Sequence, residues 1–207
     1  MTSVPLSEIL VLKDIFEAAG GDSWLWSEDA TDGVKWNFSV PDLSSVDPCK
    51  EGAQWQRVRC SHASGSSASL KHILEVNLTT FGLIGTLPST LGNLTALTFL
   101  SFTKNALGGR LPHSLGHLTR LETFYADFNS LTGGLPSTIG SMQSLRDLDL
   151  DNNELTGHLP TSLGSLSTIQ YMDIDNNFLS GTIPPEMKHM RNLGDTPNVP
   201  SVLTSYS

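Results

Sequence analysis

The sequence predicts an α/β solenoid, a stack of similar turns that each carry one short strand, closed at its start by a helical cap. Three observations predict it. First, a 16-residue unit recurs every 24 residues: LTFLSFTKNALGGRLP at 97–112, LETFYADFNSLTGGLP at 121–136, LRDLDLDNNELTGHLP at 145–160 and IQYMDIDNNFLSGTIP at 169–184. Second, the pairs Leu87-Pro88, Leu111-Pro112, Leu135-Pro136, Leu159-Pro160 and Ile183-Pro184 hold that register throughout. A fixed period in the range of about twenty to fifty residues marks a stack in which each unit contacts only its neighbours. Third, all four tryptophans and both cysteines fall before the repeats begin.

The chain opens with PLSEILVLKDIFEAA at 5–19, which reads as a helix. Pro5 sits near its start, Leu6, Ile9, Leu10 and Phe16 offer one apolar face, and Gly20-Gly21 ends it. Gly21-Asp22-Ser23-Trp24, Trp26, Trp36 and Trp55 follow, with the tryptophans read as the core of the cap rather than as a ligand cage. Cys49 and Cys60 either close a short loop through one disulfide, the favoured reading, or remain two free thiols. Residues 61–69, SHASGSSAS, form a polar turn.

Within the repeats four apolar columns keep their place. They are Ile73, Leu97, Leu121, Leu145, Ile169; Val76, Leu100, Phe124, Leu148, Met172; Leu78, Phe102, Ala126, Leu150, Ile174; and Leu83, Leu107, Leu131, Leu155, Leu179. The second and third columns are two residues apart, the alternation of a short strand with one buried face. Asn105, Asn129, Asn153 and Asn177 follow each strand, and an amide side chain has donors and acceptors for the backbone of a turn. Glycines at 85, 109, 133, 157 and 181 permit tight bends. After each Pro a small amphipathic piece such as Ser114-Leu115-Gly116-His117-Leu118 reads as a short helix, its Ser/Thr pairs placed to cap it.

These spacings resemble the plant-type leucine-rich repeat, LxxLxxLxLxxNxLxGxIPxxLGxLxx, over residues 70–193, roughly 60% of the chain. Phe81 stands where the first Asn is due, and Ala106 and Ser130 vary the turns. The order helix, Gly-Asp-x-Trp, Asp-Pro-Cys, Trp-x-x-Val-x-Cys resembles the N-terminal cap of extracellular leucine-rich-repeat proteins. The resemblance implies a right-handed superhelix of five repeats with a short parallel sheet on its concave side. It divides the chain into a capping region at 1–69, repeats at 70–193, and a tail or linker at 194–207.

The formal net charge of −9 argues against nucleic acid and favours a basic partner. No run approaches the length of a membrane-spanning helix, so a membrane enters only through a segment outside this chain. The sequons at Asn37, Asn77 and Asn93 are candidate glycosylation sites and lend modest support to secretion. The first residues show no leader, which leaves a removed leader, a fragment or an intracellular protein open. The expected location is extracellular or at the cell surface.

Function in this architecture rests on the strand positions between the apolar columns. Read across the repeats these are Glu75, Phe99, Thr123, Asp147, Tyr171; Asn77, Ser101, Tyr125, Asp149, Asp173; Thr79, Thr103, Asp127, Asp151, Asp175; and Thr80, Lys104, Phe128, Asn152, Asn176. Asp127, Asp147, Asp149, Asp151, Asp173 and Asp175 converge on the later repeats, with Tyr125, Phe128 and Tyr171 among them. They suit a protein or peptide ligand bearing Arg or Lys, with the aromatics supplying apolar contact. The alternatives are aspartates that simply face water, as the resemblance allows, or a Ca²⁺ site. His113 and His117 lack a third ligand and read as surface residues. No cofactor is expected, and no nucleophile motif, phosphate loop or zinc motif occurs. Asp149 and Asp173 could in principle pair as glycosidase carboxylates, but an open sheet offers no pocket to raise one pKa. The sequence therefore points to a non-enzymatic recognition module, receptor-like or inhibitor-type. A structural, adhesive or ice-binding role for the hydroxyl pairs Ser89-Thr90, Ser137-Thr138 and Thr161-Ser162 is the second reading.

Overall fold

The structure, a computed structural model, describes residues 4–61 and 70–190. The expected polar turn over 61–69, apart from Ser61, and the expected tail over 194–207 lie outside the described residues. Helix α1 (Leu6–Ala18) follows Pro5, whose fixed φ suits the residue that opens a helix. Its buried face is not the expected one. Leu6 and Leu10 are 45% and 43% exposed, whereas Glu8, Ile9, Val11, Leu12 and Ile15 are buried. The reason is what the helix covers. Ile9, Leu12 and Ile15 lie on the open end of the first rung. Glu8 lies among them because its carboxylate accepts the Ile73 N–H at 2.8 Å and meets His72 Nδ1 at 2.5 Å. Farther along, Asp14 accepts from the Thr90 hydroxyl at 2.6 Å.

Strand β1 (Val58–Cys60) runs antiparallel to the first repeat strand, and the Cys49–Cys60 disulfide ties it to the preceding loop. An antiparallel strand there blunts a sheet edge that would otherwise stay unpaired. Each rung then supplies two short strands: β2 (Ile73–Asn77) and β3 (Ile84–Thr86), β4 (Phe99–Ser101) and β5 (Ala106–Gly108), β6 (Thr123–Tyr125) and β7 (Thr132–Gly133), β8 (Asp147–Asp149) and β9 (Glu154–Gly157), β10 (Tyr171–Asp173) and β11 (Phe178–Leu179). Among the described residues the first members join β1 in a six-stranded sheet, order β1-β2-β4-β6-β8-β10, parallel after β1. The second members form smaller parallel sheets, β3-β5 and β7-β9-β11, which the sequence pattern did not announce.

The apolar columns form one continuous core, with Ile73, Leu97, Leu121, Leu145 and Ile169 fully buried. The return path of each rung is a single 3-10 turn, such as Ser89–Asn93 or Thr161–Ser165. The expected Ser/Thr caps are absent: Pro88, Pro112, Pro136 and Pro160 take the N-cap position, with no side-chain cap bond. Instead Thr138 donates to the His113 carbonyl at 2.6 Å and ties neighbouring rungs together. Successive turns approach so closely that a Cβ on Gly116 would stand 2.5 Å from the Thr138 carbonyl oxygen.

The asparagines hold the rungs. Asn153 Oδ1 accepts the Leu131 N–H at 3.0 Å, and its Nδ2 lies 2.9 to 3.1 Å from the carbonyls of Ala126, Leu150 and Asp151. Asn105, Asn129 and Asn177 repeat this arrangement. Phe81 departs from it for a reason. No rung precedes the first, so an amide there would have no neighbour to serve. Phe81 instead packs edge-on against Trp26 at 5.1 Å and Trp24 at 5.9 Å. Trp24 and Trp36 satisfy their indole N–H groups on the carbonyls of Ala19 and Gln56, both at 2.8 Å.

Asn153→Ala removes a buried amide and strands the groups it serves, which should cost about 2–4 kcal/mol. The exposed neighbour change Glu154→Ala should cost under about 0.5 kcal/mol. Urea unfolding of both variants beside the wild type checks the difference.

Candidate functional site

The strand positions between the apolar columns stand in hydrogen-bonded register. Asp147 pairs with Thr123 and Tyr171, and Asp149 pairs with Tyr125 and Asp173. Beyond the strands the backbone ladder continues, with Phe128 N–H donating to the Asp151 carbonyl at 3.1 Å and Asn152 N–H to the Asp175 carbonyl at 3.2 Å. Adjacent parallel strands lie about 4.8 Å apart, so the six aspartates share one small grid.

The structure corrects their expected exposure. Asp127 and Asp173 are only 8% exposed and Ser101 only 2%, while Asp147, Asp149, Asp151 and Asp175 are half-buried. Carboxylate oxygens of Asp127, Asp149 and Asp151 all lie within 4.8 Å of one another. Among the described residues no ion pair reaches Asp127, Asp147, Asp149, Asp151 or Asp175. A chain of hydroxyls feeds the cluster from the earlier rungs. Thr79 and Ser101 are joined at 2.7 Å, Ser101 donates to Thr103 at 3.1 Å, and Thr103 donates to Asp127 at 2.5 Å.

Asp149 carries the electrostatic consequence. Burial, followed by the charges of Asp127, Asp151 and Asp173, pushes its carboxyl up to about 6. The Asp151 N–H bond to Asp149 Oδ1 works in the opposite direction. Burial also raises Asp151, with the Asp173 charge next in weight. Tyr125 and Tyr171 are raised as well, first by burial and then by the surrounding aspartates.

The aromatics frame the carboxylates. Phe99 and Tyr125 meet edge to face at 6.1 Å, Phe128 and Tyr171 are 48% and 41% exposed, and the Tyr171 hydroxyl donates to Asp173 at 3.2 Å. Lys104 Nζ sits 5.6 Å from the centroid of the Phe128 ring. This face can accept a guanidinium, an ammonium or a hard cation, with aromatic surface beside it. His113 and His117 are exposed at the two ends of one 3-10 turn. Asn37 and Asn93 are exposed, and Asn77 is half-buried on β2.

With this geometry in place, comparison with known proteins is direct. Residues 120–142, 144–166 and 168–190 match the Leucine Rich Repeat family model. Those three segments are leucine-rich repeats, and the rungs before them stack in the same parallel sheet. The leucine-rich-repeat ectodomain of the receptor kinase SOBIR1 from Arabidopsis thaliana is similar across 99% of this chain and 98% of its own, at 23% identity and a TM-score of 0.73. The PEPR1–AtPEP1 structure is similar over 96% of this chain, at 26% identity and a TM-score of 0.75. The plant peptide hormone receptor RGFR1 in complex with RGF2 is similar over 64% of this chain, at 30% identity and a TM-score of 0.58. This chain spans only 25% and 24% of those two longer chains. No curated protein matches the sequence.

A further feature of the leucine-rich-repeat coil escaped the sequence reading. Thr80, Lys104, Phe128, Asn152 and Asn176 all adopt left-handed φ, between 48° and 56°. Asn tolerates that conformation, whereas a threonine or phenylalanine there is held by its surroundings. The side chains at these positions stand on the rim of the acidic grid. Of the hydroxyl chain, Ser101 and Thr103 carried no signal beyond their place in a column.

The raised carboxyl of Asp149 has a stability consequence. Its folded-state pKa of about 6 lies above the ordinary value, so the folded state holds this proton more tightly than the unfolded one. The group therefore destabilises the fold increasingly as pH rises from about 4 to 6, and fully above that. Asp149→Asn keeps the Oδ1 acceptor and removes the charge. After discounting for solvent screening it should stabilise by about 1 kcal/mol at pH 7.5, raising Tm by about 2–4 °C. The gain should vanish near pH 4, which thermal unfolding at both pH values checks.

Proposed function

We propose that this chain is a non-enzymatic recognition module that binds a basic protein or peptide ligand on the open face of its six-stranded sheet, outside the cell or at its surface. The observation that carries the proposal is the Asp127–Asp149–Asp151 cluster, three carboxylates within 4.8 Å and without a cation among the described residues. Clustering like charges costs folding stability, and a bound Arg or Lys offsets that cost where an apolar surface would not. Tyr125, Phe128 and Tyr171 would pack against the ligand, with Asp147, Asp149, Asp173 and Asp175 meeting its cations. The similar structures support a peptide or protein as the class of partner, since RGFR1 is a plant peptide hormone receptor seen in complex with RGF2. The disulfide fits an oxidising compartment. Receptor-like and inhibitor-type roles both use such a face. The net charge of −9 makes nucleic acid an unsuitable partner. Among the described residues no helix is long and apolar enough to cross a membrane.

The structural or ice-binding reading is less well supported. Of each hydroxyl pair only Ser89, Ser137 and Thr161 are exposed, while Thr90 and Thr138 are spent on Asp14 and His113.

Peptides of equal length with and without Arg and Lys, titrated against the whole chain, test the proposal. Basic peptides should bind and lose affinity as salt rises from 50 to 500 mM. Cation binding favours ionised Asp149, so affinity should fall as pH drops below about 6. The variant Asp147→Asn/Asp149→Asn/Asp173→Asn should bind at least about tenfold more weakly. Affinity indifferent to salt and to the variant would remove the basis for the proposal.

A further inference from the structure

A notch of about 570 Å³ opens between two successive rungs, lined by Arg110, Pro112, His113, Gly134, Pro136 and neighbouring residues, none of them in the six-stranded sheet. Its origin can be read from one column. Thr86, Arg110, His158 and Thr182 occupy the same place in their rungs, and only the third rung has a glycine there, Gly134. The backbone does not demand it. Gly134 is outside the left-handed region, and an added Cβ would meet only the Thr156 carbonyl oxygen at 3.4 Å, an ordinary contact. What the missing side chain does is leave space.

Arg110 is laid across that space. A Cβ on Gly133 would stand 2.9 Å from Arg110 Cγ and 3.1 Å from its Nε, so the arginine stem lies over the Gly133 backbone. Among the described residues its guanidinium has neither an ion pair nor a hydrogen bond, in a chain of net charge −9. His113 brings a second nitrogen donor to the notch, at a position where Ser89, Ser137 and Thr161 stand in other rungs. The exposed hydroxyls of Ser89 and Ser137 border it, and the half-buried ring of Pro112 forms an apolar wall.

We infer that this notch binds a saccharide bearing a carboxylate, with the acid group on Arg110, hydroxyls on Ser89 and Ser137, and a C–H face against Pro112. A guanidinium fork matches a carboxylate through two parallel hydrogen bonds. The volume falls within the range of small-ligand sites. An acidic peptide fits less well. β5 and β7 are the facing edges of their sheets, but the Ser130 N–H donates to the Leu107 carbonyl at 2.8 Å and the Thr132 N–H to the Gly109 carbonyl at 2.7 Å, so the backbone there is already engaged, and Leu111 and Leu135 are too deeply buried to receive a side chain.

The test titrates the whole chain with trigalacturonate, with the neutral galactose trisaccharide and with a glutamate-rich hexapeptide. Trigalacturonate should bind and the other two should not. Arg110→Ala should weaken binding by about tenfold or more. Gly134→Thr, which installs the residue that Thr86 and Thr182 supply in the same column, should abolish it while thermal unfolding stays unchanged. Asp149→Asn, on the sheet face, should leave it intact. The inference is overturned if trigalacturonate does not bind, if the neutral sugar or the peptide binds equally well, or if both notch variants bind as wild type.

Discussion

The asparagine ladder is the constraint on which the coil depends. A strand of three residues has too few hydrogen bonds and too little apolar surface to persist alone, and every rung after it must turn sharply. A sharp turn buries carbonyls that no helix or sheet can reach. Asn105, Asn129, Asn153 and Asn177 answer that need from inside, each accepting from the rung before and donating to carbonyls of both rungs. The amide thereby sets the distance between rungs, and the apolar columns then stack in register without a choice of alternatives. The start of the ladder bears out its logic by contrast. Where no earlier rung exists Phe81 replaces the amide, and the aromatic cluster with Trp24 and Trp26 takes over the work of closing the core.

What was legible in the sequence is what repeats. Leu148 or Asn153 meets the same surroundings as its counterparts 24 residues away, so a column of identical residues reports an identical environment. The misses fall where the environment is not periodic. The buried face of α1 is chosen by the first rung and by the Ile73 amide that Glu8 must satisfy, and nothing in the helix itself prefers that face over Leu6 and Leu10. The strands β3, β5 and β7 carry almost no alternation, in segments such as Ala106-Leu107-Gly108, because they form only through stacking. The Ser/Thr pairs look like caps in isolation, but Pro at the N-cap position excludes that role. At the site, the aspartates could be named from their columns. Their burial could not, since it depends on neighbours across the rungs, as the Thr103 bond to Asp127 shows.

The same cross-rung bonding explains why the acidic face is uneven. Six carboxylates on one grid cannot all remain charged at equal cost. Asp127 has the end of a hydroxyl chain donating to it, and Asp173 receives the hydroxyl of Tyr171. Asp149 lies between Asp127 and Asp173 with one backbone amide for compensation. Burial and the neighbouring charges therefore raise the carboxyl of Asp149, at the centre of the grid. A face made of like residues is thus made uneven, with hydrogen bonds reaching it from Thr79 and Ser101 in the earlier rungs.

That gradient also gives the face a direction. The earlier rungs present Asn77, Thr79, Ser101 and Thr103, neutral and bonded to one another, whereas the later ones present the aspartates. Successive rungs lie about 4.8 Å apart, and an extended chain advances about 3.3 Å per residue. For a ligand running along the stack, one residue per rung is therefore out of step, while three residues span nearly the distance of two rungs. Asp127 and Asp175 stand two rungs apart in one column. Successive side chains of an extended chain point to opposite faces, so cations three residues apart could not both reach that column. Under the proposed binding mode the rung spacing, and not any single side chain, therefore disfavours a straight extended ligand along the stack and favours one that crosses the rungs or turns between them.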